Sequence, residues 1–461
     1  MTMFGSPWFG SAGEAFTIDQ SCRFTAADTS YLTWTPGDAP DSRRIFTFSF
    51  WMKRGILSTT QQIHTESTGA DGGNASFGLY MRHDNKLCIY QWPLEKIRGY
   101  YERANTNDWM HVVEVIDTTQ ATDTNRIKLY IDGAQITTFG ATNYPAQNAD
   151  MGITQSGVVQ CIGATSGSNY PIDMYLAEFH FLDGIAAAVG DFGETVDGVW
   201  VPKEYGGSYG GHGYYMDFAD SADLGADQSG NSNDFTSSGL DAADQVLDSP
   251  SNNFAVFNPS DTSGTTLTYS ECNLKAERTS SSFAQAYSSM SFDSGKWYAE
   301  VIFDTGNSDA GIIAGEANPG SNRYLGQDSY TYALYPGDGR KVNSASYSAY
   351  GVGITKAADG SGDVLGIYID ADNGDIYFSK NGTVMNSGTA AFTGVTGPFR
   401  ISVDSESSSF AVINFGQDDT FAGLKTSGSA AASDDNGYGK FYDTIALAGY
   451  LAPCSKNGGT V

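Results

Sequence analysis

Two Asn-Gly pairs stand eight residues apart in the run from Gly362 to Thr383, and they leave few folds open to the chain around them. Apolar residues fill Val364-Leu365-Gly366-Ile367-Tyr368-Ile369, Asn373-Gly374 follows, and Ile376-Tyr377-Phe378 leads to Asn381-Gly382. A short apolar run bounded by such turn residues reads as a strand. Asn-Gly suits the type I′ turn, in which both central residues need positive φ. The run therefore predicts a β-hairpin turning at Asn373-Gly374 and a second turn at Asn381-Gly382.

Composition extends this reading to the whole chain. Gly supplies 55 of the 461 residues, aromatics 13% and charged residues only 17%. Gly-rich turns between aromatic and β-branched runs belong to all-β proteins. No long stretch carries apolar residues at helical spacing. The 53 acids against 25 bases give a net charge of −28. Such a surface repels phosphate backbones, so no nucleic-acid partner is expected. Cys22, Cys88, Cys161, Cys272 and Cys454 form an odd set without a C-x-x-C pair. Neither a disulfide framework nor a zinc site is expected, and a reducing cytoplasm is the expected folding compartment. No basic stretch followed by an apolar run opens the chain, and no run is long enough for a membrane helix, so neither a signal peptide nor membrane insertion is expected.

Five segments follow. Residues 1–15 form a Gly/Ser-rich arm bearing Phe4, Trp8 and Phe9, aromatics that would be exposed unless their own domain or another subunit covers them. Residues 16–185 hold short aromatic strands with Asp-Gly turns, a sandwich pattern. Residues 186–262 are Gly/Asp/Ser-rich, yet carry Trp200, Tyr214, Tyr215 and Phe235, which suits a packed bridge better than a free linker. Residues 263–420 contain the double-turn run, and 421–461 form a tail with one ordered patch at Gly449–Cys454.

Within 16–185, the runs Phe46–Arg54, Trp109–Val112, Leu129–Gly133 and Leu176–Phe181 together resemble a concanavalin-A-like jelly roll of the laminin-G or pentraxin type. Within 263–420, Gly295–Val301, Tyr350-Gly351, the double-turn run, Gly397–Val403 and Ala411–Gly416 resemble the landmarks of a SPRY domain. The expected fold is all-β: two tandem antiparallel β-sandwiches. The tandem arrangement, with Gly198-Val199-Trp200-Val201-Pro202-Lys203 in the bridge, is similar to tail-fibre and other virion proteins of tailed bacteriophages, especially marine ones. That resemblance implies virion localisation, other virion proteins as partners, bacterial surface polysaccharide as ligand and a homo-oligomer, a trimer being favoured. A capsid decoration or head-fibre role in assembly is the alternative, and a polysaccharide depolymerase the second alternative.

Catalytic motifs are weak. A retaining glucanase needs two carboxylates on one strand, about 5 Å apart. Glu114-Val115-Ile116-Asp117 is the nearest approach, and its spacing is wrong. Gly206-Gly207-Ser208-Tyr209-Gly210 matches G-x-S-x-G, but no helix pattern follows it. His111 and His180 fall in predicted strands and read as satisfied residues, not bases or ligands. No catalytic residue is assigned.

Binding candidates are clearer. Aromatic faces beside polar groups suit a pyranose. One loop brings Trp92, Arg98, Tyr100, Tyr101 and Arg103 together; another runs from Asn322 through Tyr324 to Tyr330 and on to Tyr335, Tyr347 and Tyr350. Asp227, Ser229, Asn231 and Asn233 place oxygen atoms at alternate positions and are the candidate Ca²⁺ ligands, the other reading being a cluster of Asx-turns.

The basic loop is out of character for so acidic a chain, and it generates a test. Arginines could pair the acidic groups of a polysaccharide while Trp92 or a tyrosine stacks on the ring. Trp92→Ala and Arg98→Ala, folded by circular dichroism, are expected to lower adsorption to host cells. Unchanged adsorption in both removes this loop as a receptor site.

Overall fold

The computed structural model describes residues 16–67, 75–91, 94–99, 105–166, 168–261, 267–278, 280, 282–306, 308–315, 323–406, 409–427 and 432–458, with backbone alone for 75–76 and 94–99. The arm residues Phe4, Trp8 and Phe9 lie outside this set. Every pairing between the strands is antiparallel, and the helical elements among the described residues are 3-10 turns of three residues each. The chain divides into two compact units between Ser251 and Asn252, so the segment 186–262 is shared between them.

The first unit is a sandwich of two sheets. One sheet runs in the order Ala134–Ile136, Ile127–Ile131, Met110–Asp117, Ile45–Arg54, Met174–Asp183, Ser21–Phe24, Gln245–Val246, with Tyr214–Met216 also paired to Met174–Asp183. The other runs Phe139–Thr142, Leu94–Gly99, Leu87–Gln91, Ala75–Met81, Gln61–Ser67, Val159–Ile162, Tyr31–Trp34, Thr236–Ser238. Alternation dictates the layering. Phe46, Phe48, Phe50 and Met52 point inward from one strand and meet Ile63, Phe77 and Leu79 of the facing sheet in a single core. Phe48 stacks on Phe77 at a centroid distance of 6.1 Å. Each such phenyl contributes on the order of 2 kcal/mol by leaving water. Residues 186–251 supply strands to both sheets and cover the outer face of the first. There Trp200 slots between Gly133 and Gly193, where an added Cβ would come within 2.4 Å and 2.5 Å of its ring.

The second unit is also two sheets. The seven-stranded one runs Thr268–Ser270, Lys275–Arg278, Ser409–Asn414, Lys296–Phe303, Leu365–Asp370, Asp375–Lys380, Thr383–Val384. The six-stranded one runs Ala284–Tyr287, Phe399–Ser405, Ala310–Ala314, Thr331–Tyr335, Arg340–Asn343, Ser346–Ser348. Ala310, Ile312, Leu334, Ile401 and Val403 face Val301, Ile367, Ile369 and Phe378 across the core. The C-terminal segment belongs to this unit. Phe441 packs on Tyr298 at 4.9 Å and Tyr450 on Tyr368 at 5.0 Å, covering the outer face of the seven-stranded sheet.

The two Asn-Gly pairs behave differently. Asn381 and Gly382 both take positive φ, 47° and 73°, and form a two-residue turn between the paired Lys380 and Thr383, as expected. At Asn373-Gly374 the type I′ expectation fails. The strands pair through Asp370 and Asp375, which leaves a four-residue turn with Gly374 alone at positive φ (71°). The Asp370 carboxylate accepts from the Asn373 amide at 3.1 Å and from its side chain at 2.9 Å, which holds Asn373 at negative φ. All five cysteines are buried and free.

One buried ion pair ties the first unit's ends together. Lys53 Nζ lies 2.7 Å from Asp248 Oδ2, both side chains being 0% exposed. Trp109 Nε1 donates to the other carboxylate oxygen at 2.8 Å. Removing one partner of such a pair leaves a buried charge and costs about 3–5 kcal/mol. Lys53→Met and Asp248→Ala are each expected to destabilise the first unit by that order in urea titration, whereas breaking the exposed Arg44–Asp150 pair by Asp150→Ala is expected to leave the urea midpoint nearly unchanged.

Candidate functional site

The outward face of the six-stranded sheet gathers the polar and aromatic residues that its inward face excludes. Gln285 pairs with Asp404, Ala310 with Val403 and with Leu334, and Tyr335 with Arg340. Continuing this register by one residue sets Asp309 between Asp404 and Tyr335. The result is a single cross-strand row, Gln285–Asp404–Asp309–Tyr335–Arg340, with successive strands about 4.8 Å apart. Tyr347 opposes Val342 in the edge strand, and Tyr324 comes from the loop that packs on this face.

The row has an exposed aromatic end and a buried acidic end. Tyr347 is 36% exposed. Its ring lies 6.2 Å from Tyr324 and 6.1 Å, edge to face, from Tyr335. The exposed Arg340 guanidinium sits over Tyr347 at 4.7 Å and over Tyr335 at 5.7 Å, and its Nε donates to Asp338 Oδ2 at 2.7 Å. At the other end Asp404 is 0% and Asp309 5% exposed. Asp404 accepts from the Asp309 amide at 2.7 Å and the Leu325 amide at 2.5 Å. Burial pushes Asp404 up to about 7 against those hydrogen bonds. Burial first, then the Asp404 charge, holds Asp309 well above the usual carboxylate range, with Lys356 opposing. The pair therefore keeps a proton near neutral pH. Burial, the Tyr324 hydroxyl and the two aspartates raise the Tyr347 phenol. Aromatic faces, a guanidinium and carboxyls on one rigid sheet can stack on a sugar ring and bond its hydroxyls.

Tyr324 is thus brought together with Tyr335 and Tyr347. Tyr350 is instead buried, its hydroxyl donating to the Thr389 carbonyl at 3.0 Å, and Tyr332 packs edge-on to Phe392. Asp309, Asp404 and Arg340 were not among the sequence candidates. Trp92, Tyr100, Tyr101 and Arg103 lie outside the described residues, and only the backbone of Arg98 is described, paired to Cys88 and Ala141. At the candidate Ca²⁺ loop, Asp227 accepts from the amides of Tyr215, Ser229 and Asn233, each at 2.9 Å. Ser229 Oγ donates to Asp227 at 2.8 Å. The side-chain amides of Asn231 and Asn233 donate to the Gly213 carbonyl at 2.8 Å and 2.9 Å. The four residues are knit to each other and to the backbone as Asx-turns. No cluster of three or more metal-ligating His, Cys, Asp or Glu side chains occurs among the described residues.

A second concentration of titratable groups covers the first unit's outer face. His111 Nε2 lies 2.9 Å from Ser49 Oγ, which looks like a nucleophile and its base. Trp200 Nε1, a donor only, lies 3.0 Å from His111 Nδ1 and makes that nitrogen the acceptor. Nε2 then carries the proton and donates to Ser49, so His111 cannot take the serine proton. Burial and the neighbouring His180 lower His111 to about 3. Glu114 points into the sandwich core with neither carboxyl oxygen bonded, and burial raises it strongly. Asp117 instead caps a turn through Thr119 and Gln120. The two carboxyls do not flank a common cleft. Ser208 of the G-x-S-x-G match lies in an exposed loop.

Residues 26–186 match the family described as the concanavalin A-like lectin/glucanases superfamily, and residues 296–418 match the SPRY domain. The chain thus carries a concanavalin-A-like domain followed by a SPRY domain. Solved structures similar to it include the SPRY domain of human HERC1, at 14% identity over 34% of this chain and 96% of that one with a TM-score of 0.28. A human SPRY domain matches at 18% identity over 33% and 96%, TM-score 0.27. The TRIM65 PSpry domain matches at 13% identity over 35% and 89%, TM-score 0.28. No curated protein matches the chain.

The protonated pair generates a pH test. The two carboxyls share a proton in the folded state that the unfolded chain releases above about pH 4. Their stabilisation is therefore full below that pH and is lost as pH rises towards 7, where Asp404 titrates. Stability of the second unit is expected to fall by a few kcal/mol, in order of magnitude, between about pH 4 and 7. Asp309→Asn is expected to flatten that slope in urea titrations, and an unchanged slope refutes the shared-proton reading.

Proposed function

We propose that this chain is a non-enzymatic virion protein of a tailed bacteriophage, a tail-fibre or receptor-binding component that holds bacterial surface glycan. The observation that carries the reading is the outward row of the six-stranded sheet, where tyrosines, an arginine and carboxyls stand on rigid strands and Tyr347 reaches solvent. A lectin-type sandwich ahead of the SPRY domain fits the same use. Such a site binds one sugar weakly. A homo-oligomer, a trimer by preference, would multiply it by avidity among other virion proteins.

The purified chain is expected to bind host cells and to compete with virions for them. Tyr347→Ala and Arg340→Ala should each weaken that binding by about tenfold, ~1.4 kcal/mol, without unfolding the protein. If the wild-type chain does not adsorb, and a whole-virion reconstruction places this face at a symmetry contact on the capsid, the chain serves in assembly instead.

A further inference from the structure

The acidic end of the row says more about the ligand. Asp227 and Asp404 bond backbone amides through both carboxylate oxygens, while Asp309, though only 5% exposed, receives no hydrogen bond at its carboxyl from any described residue. A buried carboxyl without donors costs folding free energy unless something else meets it. It stands in the row between Asp404 and Tyr335, next to the aromatic wall of Tyr335, Tyr347 and Tyr324.

We infer that the glycan held on this face carries a free, protonated amine, and that Asp309, backed by Asp404, receives it. The inference rests on the glycan reading above. Three observations support it. An ammonium supplies several donors and a further positive charge to Asp309, whose carboxyl receives no donor from a described residue, whereas a neutral hydroxyl supplies one donor. The neighbouring tyrosine faces already accept a cation, since Arg340 lies over two of them. Lys356, the internal cation nearest the pair, is committed elsewhere: its Nζ donates to the carbonyls of Gly306 at 2.8 Å and Ser308 at 3.3 Å.

The charge balance is simple. When the ammonium enters, the proton held by the Asp309–Asp404 pair leaves to solvent, and no covalent bond changes. The charged groups acting on the pair are Lys356, Asp338 and Glu406, with Arg340 and the Tyr347 phenol at the open end. Asp404 is pushed up to about 7 and Asp309 well above the usual carboxylate range, so affinity should fall on acidification although the amine becomes more fully charged.

The test compares a glucosamine oligomer with its fully N-acetylated counterpart by calorimetry on the full chain, at about pH 8 and about pH 5. The free-amine oligomer is expected to bind the wild-type chain at least tenfold more tightly at the higher pH. It should release a proton, read from buffers of different ionisation enthalpy, and lose most of its advantage at the lower pH. Asp309→Asn should level the two ligands. Equal binding of both oligomers by the wild-type chain, or a preference that survives Asp309→Asn, overturns the inference and leaves glycan binding standing. Binding of neither overturns it too, and the cell-adsorption experiment then decides whether the glycan reading survives. If Asp309→Asn does not fold, proton release by the wild-type chain decides alone: none means the amine is not received by the pair.

Discussion

The two-residue alternation of an antiparallel strand is what sets the second unit's site in place. Ala310, Ile312, Leu334, Ile401 and Val403 must face the core, so the residues between them must face out. Asp309, Asp404, Tyr335 and Arg340 occupy those positions. Slipping a strand by one residue would turn a carboxyl into the core and a core aliphatic into water, a cost of several kcal/mol. The core therefore fixes the row, and no loop has to be ordered to assemble it. The same rigidity holds Tyr335 and Tyr347 where a ligand would stack, so little of their conformational entropy remains to be lost on binding.

The first unit obeys the same alternation with the opposite outcome. Its outward residues Ser49, Trp51, His111 and His180 are covered by the chain's own residues 192–215. Trp51 stacks on His111 at 4.7 Å, Tyr215 on His180 at 4.3 Å, and Trp200 bonds His111. What resembles a serine–histidine pair in isolation is made inert by that cover, because the indole N–H settles the imidazole tautomer. Proximity of two functional groups says little until the hydrogen-bond partner of the second nitrogen is known.

Sequence carried the strands well and the site poorly, for one reason. Strand signals are local: Ile45–Arg54, Met110–Asp117, Met174–Asp183 and Leu365–Asp370 all lie where apolar runs and Asp-Gly or Asn-Gly punctuation put them. The exception at Asn373-Gly374 came from a competitor within the same few residues, the Asp370 carboxylate, which bonds Asn373 and selects a wider turn. The site is not local. Asp309 and Asp404 are 95 residues apart and meet only because two strands pair. Tyr324 was visible as an aromatic in a polar loop. Asp309 was one acid among 53, with nothing in its neighbours to distinguish it.

What distinguishes it is the use the chain makes of its other acids. Asp183 accepts from the amides of Asp41 at 2.7 Å, Ser42 at 3.0 Å and His212 at 3.1 Å. Asp434 accepts from the amides of Tyr438, Gly439 and Ala452 at 2.8, 3.2 and 2.9 Å. Glu300 accepts from Tyr442 and Asp443, each at 2.8 Å. In a fold of short strands and long connections, backbone amides outside the ladders need acceptors, and carboxylates supply two oxygens each. A large part of the acidic composition is thus structural, holding loops that have no ladder of their own. An acid that is buried, faces outward from a sheet and receives no backbone amide departs from that pattern. Asp309 meets all three conditions, beside the exposed tyrosines, and the donor it lacks is one that a ligand can bring.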